Sequence, residues 1–315
     1  MSGPVVGIDL GGTRVKAGLV RDGAIVATVV DILEPDDRSE DGILKALVRT
    51  TSSACEEADV SPGDLRGIGV GAPGALRHHT GVIVKSPNFE QWKDFHLAHR
   101  LGDLAGVPVA LDNDANVVTL GEARFGAGRG VGDFACLTLG SGVGGGLYID
   151  GDLYRGADGM AGEIGHMVVE PEGFPCGCGG RGCLEQYSAA NGLKNMVLRD
   201  RLFGDLTEAA VGDPDLPKRL FEAARAGDPG CQGYFDEFGY RLAIALGGLL
   251  NLFNVHTIVL SGGLARAFPA FSPRLFEEMP TRGYRTIVEA ARVVTCELWE
   301  QGGILGAAAL VDTGR

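Results

Sequence analysis

One pattern occurs twice in this chain, and the repetition restricts the fold more than any single motif does. Val5–Leu10 and Val15–Val20 are β-rich runs joined across Gly11-Gly12-Thr13, and Asp22-Gly23 then turns the chain into a third run, Ile25–Val30. Phe134–Leu139, the glycine stretch Gly140–Gly146, Leu147–Ile149 and Asp150-Gly151 follow the same order. A strand, glycine turn, strand and hairpin written at two places implies an internal duplication, two related α/β halves. Ligands settle in the cleft that two such halves leave between them. The 51 glycines gather at strand ends, so they build turns and not a low-complexity tract.

Between the repeats, Ile43, Leu44, Leu47 and Val48 give helical spacing to residues 41–58, and strands are expected at Gly67–Val70 and Val107–Leu111. The first half therefore reads βββαβαβ. Later segments predict helices at Leu184–Leu202, Lys218–Ala226 and Gln232–Asn251, and strands at Thr257–Leu260 and Val293–Leu298. The apolar helix Ile304–Val311 is expected to return to the first domain. The expected division is a small α/β domain of residues 1–111 with 302–315, and a large α/β domain of residues 112–301 that carries the metal site.

Composition narrows the partners. Twenty-eight basic against 41 acidic residues give a net charge of −13, which repels nucleic acid and anionic membranes. No charged-then-apolar leader opens the chain, and the longest apolar run, Leu242–Phe253, falls short of the roughly 18 residues a bilayer span needs. A cytoplasmic protein is expected, with no nucleic-acid or membrane partner. Cys55, Cys136, Cys231 and Cys296 sit among apolar or helical neighbours and read as small buried hydrophobes.

The other three cysteines are clustered. His166, Cys176, Cys178 and Cys183 offer one imidazole and three thiols, with glycines between them that let the backbone fold around an ion. Four protein ligands leave no open position for water, so the site predicted is a structural Zn²⁺ site. A disulfide plus a spare thiol is the alternative, disfavoured for clustered thiols in a chain of this kind.

Gly140-x-Gly142-x-x-Gly145 matches the dinucleotide fingerprint by letter, but a strand follows it where the fingerprint requires a helix. A Walker A loop is excluded because no Gly-Lys dipeptide occurs. What remains is a pair of β-hairpins whose bare turns let backbone N–H groups approach phosphate oxygens. Gly11, Gly12 and Thr13 form the first, and Gly140, Ser141 and Gly142 the second. Asp9 either orients Mg²⁺ through water beside them or stabilises its turn. Asp114 follows a strand and precedes a helix, where it serves equally well as a general base or as a helix N-cap.

These residues together resemble the ROK family of bacterial sugar kinases and sugar-responsive repressors, and are most like its glucokinases. The likeness rests on Asp9-Leu10-Gly11-Gly12-Thr13, Gly71-Ala72-Pro73-Gly74, Pro87-Asn88 with Trp92, Asn113-Asp114-Ala115-Asn116, Gly140–Gly146, Glu163-Ile164-Gly165-His166, the Cys-x-Cys-Gly-x-x-Gly-Cys-x-Glu run and Ser261-Gly262-Gly263. It covers nearly the whole chain. The resemblance implies an actin-like ATPase, ribonuclease-H-like fold of two duplicated domains, with a hexose phosphorylated from ATP, accompanied by Mg²⁺, in the cleft. Asp114 is then the base. Gly74, Asn88, Asn113, Glu163, His166 and Glu185 are sugar-contacting positions, and Gly262 and Gly263 join the nucleotide site. Homodimers or homotetramers are implied as well, with dimerisation helices in the large domain of residues 112–301.

Glucose is the favoured acceptor by overall likeness. Fructose, mannose, N-acetylmannosamine and allose are alternatives, as is polyphosphate in place of ATP. Arg14, Ser141, Val255 and Ser261 depart from the residues usual in the family, and Ser261 bears on the donor. A repressor of the same family would carry a helix-turn-helix before the first strand, which here begins at Val5, so an enzyme is expected.

Overall fold

The computed structural model describes residues 3–202, 204 and 207–312. The outermost residues of the expected small domain, 1–2 and 313–315, lie outside that set. Two compact units result, Met1–Gly132 with Gly146–Gly162 and Glu297–Arg315, and Asp133–Gly145 with Glu163–Cys296.

In the first unit, β1 (Val5–Leu10), β2 (Arg14–Arg21) and β3 (Ala24–Ile32) form the expected antiparallel meander, with Asp22 and Gly23 both at positive φ in the turn. Helix α1 (Glu40–Glu57) begins where the Ser39 hydroxyl accepts the Gly42 N–H at 3.0 Å, and acidic Glu40 and Asp41 occupy its first turn. It buries Ile43, Leu44, Leu47 and Ala54. There follow β4 (Gly67–Ala72), three short strands β5 (Ala75–Arg77), β6 (Val82–Lys85) and β7 (Lys93–Phe95), α2 (Leu97–Ala105), β8 (Val109–Asn113) and α3 (Asp114–Phe125). The sheet order is β3-β2-β1-β4-β8, with β5-β6-β7 a separate small sheet that the sequence reading omitted. The expected strand Val107–Leu111 starts two residues later, after Pro108.

In the other unit, β9 (Phe134–Leu139) is followed by the start of β10 (Val143–Ile149), which continues into the Gly146–Gly162 segment of the first, where its last residues pair with β11 (Asp152–Leu153). The glycine turn is shorter than expected. Only Gly140–Gly142 lie outside strands, and Val143–Gly146 are already extended. The expected helix Leu184–Leu202 divides into a 3₁₀ turn, Leu184–Gln186, and α4 (Ala190–Asp200). Then come α5 (Thr207–Gly212), α6 (Leu216–Arg225), α7 (Pro229–Phe253), β12 (Thr257–Ser261), α8 (Phe268–Glu278), α9 (Arg285–Ala290) and β13 (Arg292–Thr295). The second sheet has the order β11-β10-β9-β12-β13, the same sequence of neighbours as the first. That shared order is the duplication in structural form. Among the described residues no helix is long and apolar enough to cross a membrane.

Helix α10 (Gly302–Leu310) is buried along its whole length and packs on β1, β4 and α3 of the first unit, as expected for the last helix. It lies backbone against backbone. A Cβ on Gly7 would collide with the Ile304 carbonyl, one on Gly69 with Ala307, and one on Gly306 with Val117 of α3. Burying Ile304, Leu305 and Leu310 contributes roughly 1.5–3 kcal/mol apiece. The fully buried Glu122 closes the far end of α3, accepting the N–H groups of Ala127 (2.8 Å), Leu298 (3.1 Å) and Glu297 (3.3 Å).

Candidate active site

The parallel strands of the first sheet deliver their ends to one edge. Asp9 of β1 pairs with Gly71 of β4, and Gly71 and Ala72 pair with Asp112 and Asn113 of β8. This is the carboxyl edge, where open α/β sheets place their ligands. Asn113 Nδ2 donates to the Gly74 carbonyl at 3.3 Å. A Cβ on Gly12 would stand 3.1 Å from Asn88 Nδ2, so the first glycine turn and Asn88 are neighbours too. Asp9, the Gly11–Thr13 turn, Gly74, Asn88, Asn113 and Asp114 thus belong to one region of the first unit.

Arg38 fastens part of this region, and the sequence reading missed it. Its guanidinium donates to the Gly12 carbonyl at 2.9 Å and to the Asn88 carbonyl at 3.4 Å. Trp92 Nε1 donates to the Arg38 carbonyl at 3.0 Å, and the Trp92 ring stacks on Phe89 at 3.9 Å. An arginine among the acidic residues of 34–41 carries no motif, whereas Trp92 was visible beside Pro87-Asn88.

One of the two readings of Asp114, the helix N-cap, does not hold at the start of α3. Asn113, not Asp114, is the N-cap, its Oδ1 accepting the N–H of Ala115 at 2.9 Å and of Asn116 at 3.3 Å. Asp114 is the first helical residue, ahead of the expected start at Ala115 or Asn116. It is half-buried, with Oδ1 2.9 Å from the N of Ala115. Behind it, Asp112 is buried and accepts the Asn113 N–H at 2.7 Å and Asn116 Nδ2 at 2.9 Å.

Asp9 is half-buried against the start of α10, where a Cβ on Gly303 would lie 2.9 Å from its Cγ. Burial raises its pKa above the ordinary carboxylate value, opposed by the charge of Lys16. The turn after it closes through the backbone, Gly11 N–H donating to the Arg14 carbonyl at 3.0 Å.

In the second unit, β9 and β12 run parallel with Thr138 opposite Ser261, so the Gly140 turn and Ser261-Gly262-Gly263 leave the same edge. Gly262 has φ +86° and a Cβ there would collide with the Leu139 carbonyl, which restricts the position to glycine. Gly140 N–H donates to the Gly142 carbonyl at 2.9 Å, and Ala190 N–H at the start of α4 donates to the Gly140 carbonyl at 2.9 Å.

His166, Cys176, Cys178 and Cys183 also come together, all four ligand atoms within 4.8 Å of one another. Tetrahedral bonds of about 2.3 Å give an edge of about 3.8 Å. Cys178 and Cys183 are 3.7 Å apart and His166 Nδ1 is 3.6 Å from Cys176 Sγ, which fits a shared cation. The disulfide alternative fails, because bonded sulfurs stand about 2.05 Å apart. Burial, with the neighbouring Cys178 and Cys176 thiols, pushes the Cys183 thiol up to about 12, so a thiolate there needs a positive partner. The Gly180 N–H, 3.4 Å from Cys178 Sγ, pulls that thiol down instead.

The remaining sugar candidates adjoin this knuckle. Glu163 and His166 do not share an α-helical face; Glu163 caps the 3₁₀ turn Ile164–His166, with Oε2 3.8 Å from His166 Nε2. His166 therefore turns Nδ1 to the cysteines and Nε2 toward Glu163. Glu185 Oε2 accepts the Val143 N–H at 3.2 Å, while Oε1 is 3.8 Å from Cys176 Sγ. A Cβ on Gly142 would strike the Glu185 carboxylate, so the bare turn makes room for it.

Residues 5–313 match the ROK family. The chain is 36% identical to the glucokinase of Thermotoga maritima over 98% of its own length and 96% of that protein's. It is 34% identical to the glucokinase of Halalkalibacterium halodurans, over 97% and 94%. Among solved structures, a ROK family glucokinase from Streptomyces griseus in complex with glucose and AMPPNP superposes with a TM-score of 0.83 at 32% identity, over 99% of this chain and 100% of that one. Its fold is the actin-like ATPase fold, and the chain belongs to the ROK family.

Proposed function

We propose that the chain is an ATP-dependent glucose kinase, forming glucose 6-phosphate and ADP. The placement of Asp114 carries this reading. Asn113 takes over the cap of α3, so Asp114 stands at the strand end as a candidate proton acceptor. Asp114 takes the proton of the sugar hydroxyl as that oxygen bonds to the γ-phosphorus, and the bond from the γ-phosphorus to the bridging oxygen breaks to release ADP. Near-neighbours at about 30–36% identity named glucokinases support the same acceptor and donor.

Other roles follow residue by residue. Gly74, Asn88, Asn113, Glu163, His166 and Glu185 are assigned to sugar hydroxyls. Such groups discriminate strongly because each is left unpaired by a wrong epimer. Gly11, Gly12 and Thr13, Gly140, Ser141 and Gly142, and Gly262 and Gly263 are assigned to the nucleotide, with Asp9 orienting Mg²⁺ through water. A zinc ion held by His166, Cys176, Cys178 and Cys183 would fix the knuckle and take no part in the transfer. Self-association into dimers or tetramers and a cytoplasmic location complete the proposal.

A hexose panel crossed with ATP and polyphosphate, followed by identification of the phosphorylated carbon, tests it. Glucose with ATP is expected to give the highest kcat/KM, with phosphate on carbon 6. No ADP formation from any hexose would overturn it.

A further inference from the structure

We propose that the buried Asp112–Arg155 pair is a positioning device for Asp114, holding the base in place from behind without touching sugar or nucleotide. Asp112 is 1% exposed and the Arg155 side chain 15%. Asp112 Oδ2 accepts from Arg155 Nε at 2.7 Å, and Arg155 Nη1 donates to the Leu153 carbonyl at 3.3 Å. The other oxygen, Oδ1, accepts the Asn113 N–H at 2.7 Å and Asn116 Nδ2 at 2.9 Å. Those two donors flank Asp114 in sequence, one before it and one in the first turn of α3. One carboxylate thereby fixes both sides of the residue assigned as base.

The energetics favour a geometric role. A buried ion pair gains little stability over well-packed apolar residues, because desolvating both charges offsets their attraction. Arg155 sets an opposite charge against a carboxylate that is otherwise enclosed, and a neutral residue at position 112 would grip the Asn113 and Asn116 donors less strongly. The pair thus keeps a strong acceptor beneath the turn, the arrangement by which a catalytic group is held to within a fraction of an ångström. Arg155 lies on the segment Gly146–Gly162, remote in sequence from Asp114 yet within the same compact unit.

The inference rests on Asp114 being the base, and its test separates the two. In the full-length protein, Arg155→Gln is expected to lower kcat by about 10²-fold, the cost of misplacing a reacting group by an ångström, with KM for glucose changed less than about threefold. Arg155→Lys keeps the charge and should retain more turnover. Asp112→Asn combined with Arg155→Gln should cost less than the product of the two single losses, because no unpaired charge is left inside. Amide hydrogen exchange over residues 113–116 is expected to quicken in Arg155→Gln while β1 and β4 keep their protection. Unchanged turnover per folded molecule, or unchanged exchange at those amides, would overturn the proposal. If the parent protein itself does not phosphorylate glucose, the kinase reading fails and the exchange measurement still decides the positioning role. Should Arg155→Gln not fold, Arg155→Lys and Asp112→Asn carry the same two measurements.

Discussion

The Glu185 carboxylate accepts the backbone N–H of Val143 at 3.2 Å, which braces the glycine turn from the cysteine knuckle. Glu185 stands two residues after Cys183, so one side chain serves the turn while its other oxygen faces Cys176. Replacing Glu185 by Ala removes the brace and the proposed sugar contact together. Losing a charge-assisted hydrogen bond at each is expected to raise KM for both glucose and ATP about tenfold. Glu185→Gln keeps an oxygen for Val143 and should affect glucose more than ATP. Initial-rate measurements varying each substrate distinguish these outcomes, and an Ala variant with normal KM for ATP would remove the bracing role.

Asp114→Asn should leave folding intact, because the cap of α3 belongs to Asn113. Turnover is expected to fall by at least about 10²-fold, the range for loss of a general base. Asn113→Ala is expected to behave differently, lowering stability by about 1 kcal/mol as the cap is lost. Thermal melts beside single-turnover rates separate the two effects.

Elemental analysis of the purified protein is expected to find one zinc per chain. Cys178→Ser should abolish it and lower the melting temperature, since ligation and local folding are coupled. A metal-free variant that melts with the parent would show that the four side chains need no ion.

Acid sensitivity should trace in part to His78. Burial lowers its pKa below the ordinary 6.5, helped by the charge of Arg155 and opposed by Asp112. Below 6.5 the unfolded chain therefore binds this proton and the folded one does not, so stability is lost as pH falls toward the folded value. His78→Gln removes the difference. Its melting temperature should fall less than the parent's between about pH 7 and about pH 5.

Much of the fold was legible because its signals are local. The two meanders announce themselves by alternation and glycine turns, and both sheets adopt the same strand order. The cysteine and histidine cluster was readable because its ligands are close in sequence. Strands of three residues such as Ala75–Arg77 are too short to show a period, so the small sheet passed unseen. Helix α8 carries Pro273 in its interior, a residue that argues against a helix when read alone. Arg38 and Asp112 escaped notice for another reason: their partners, Asn88 and Arg155, are distant in sequence and only the fold brings them near. The division of labour between Asn113 and Asp114 needed backbone angles, which composition does not encode.

The seating of α10 sets an order on biosynthesis. Because Gly7, Gly69 and Gly306 admit no side chain, β1 and β4 are shaped to take the backbone of α10, a helix that follows the whole second sheet in the chain. A nascent chain leaves that part of β1 and β4 without its helix until Gly302–Leu310 has been made. The packing of the first unit then cannot be completed before that helix exists, and a message truncated before residue 302 yields a polypeptide whose β1 and β4 lack the backbone they are shaped to receive.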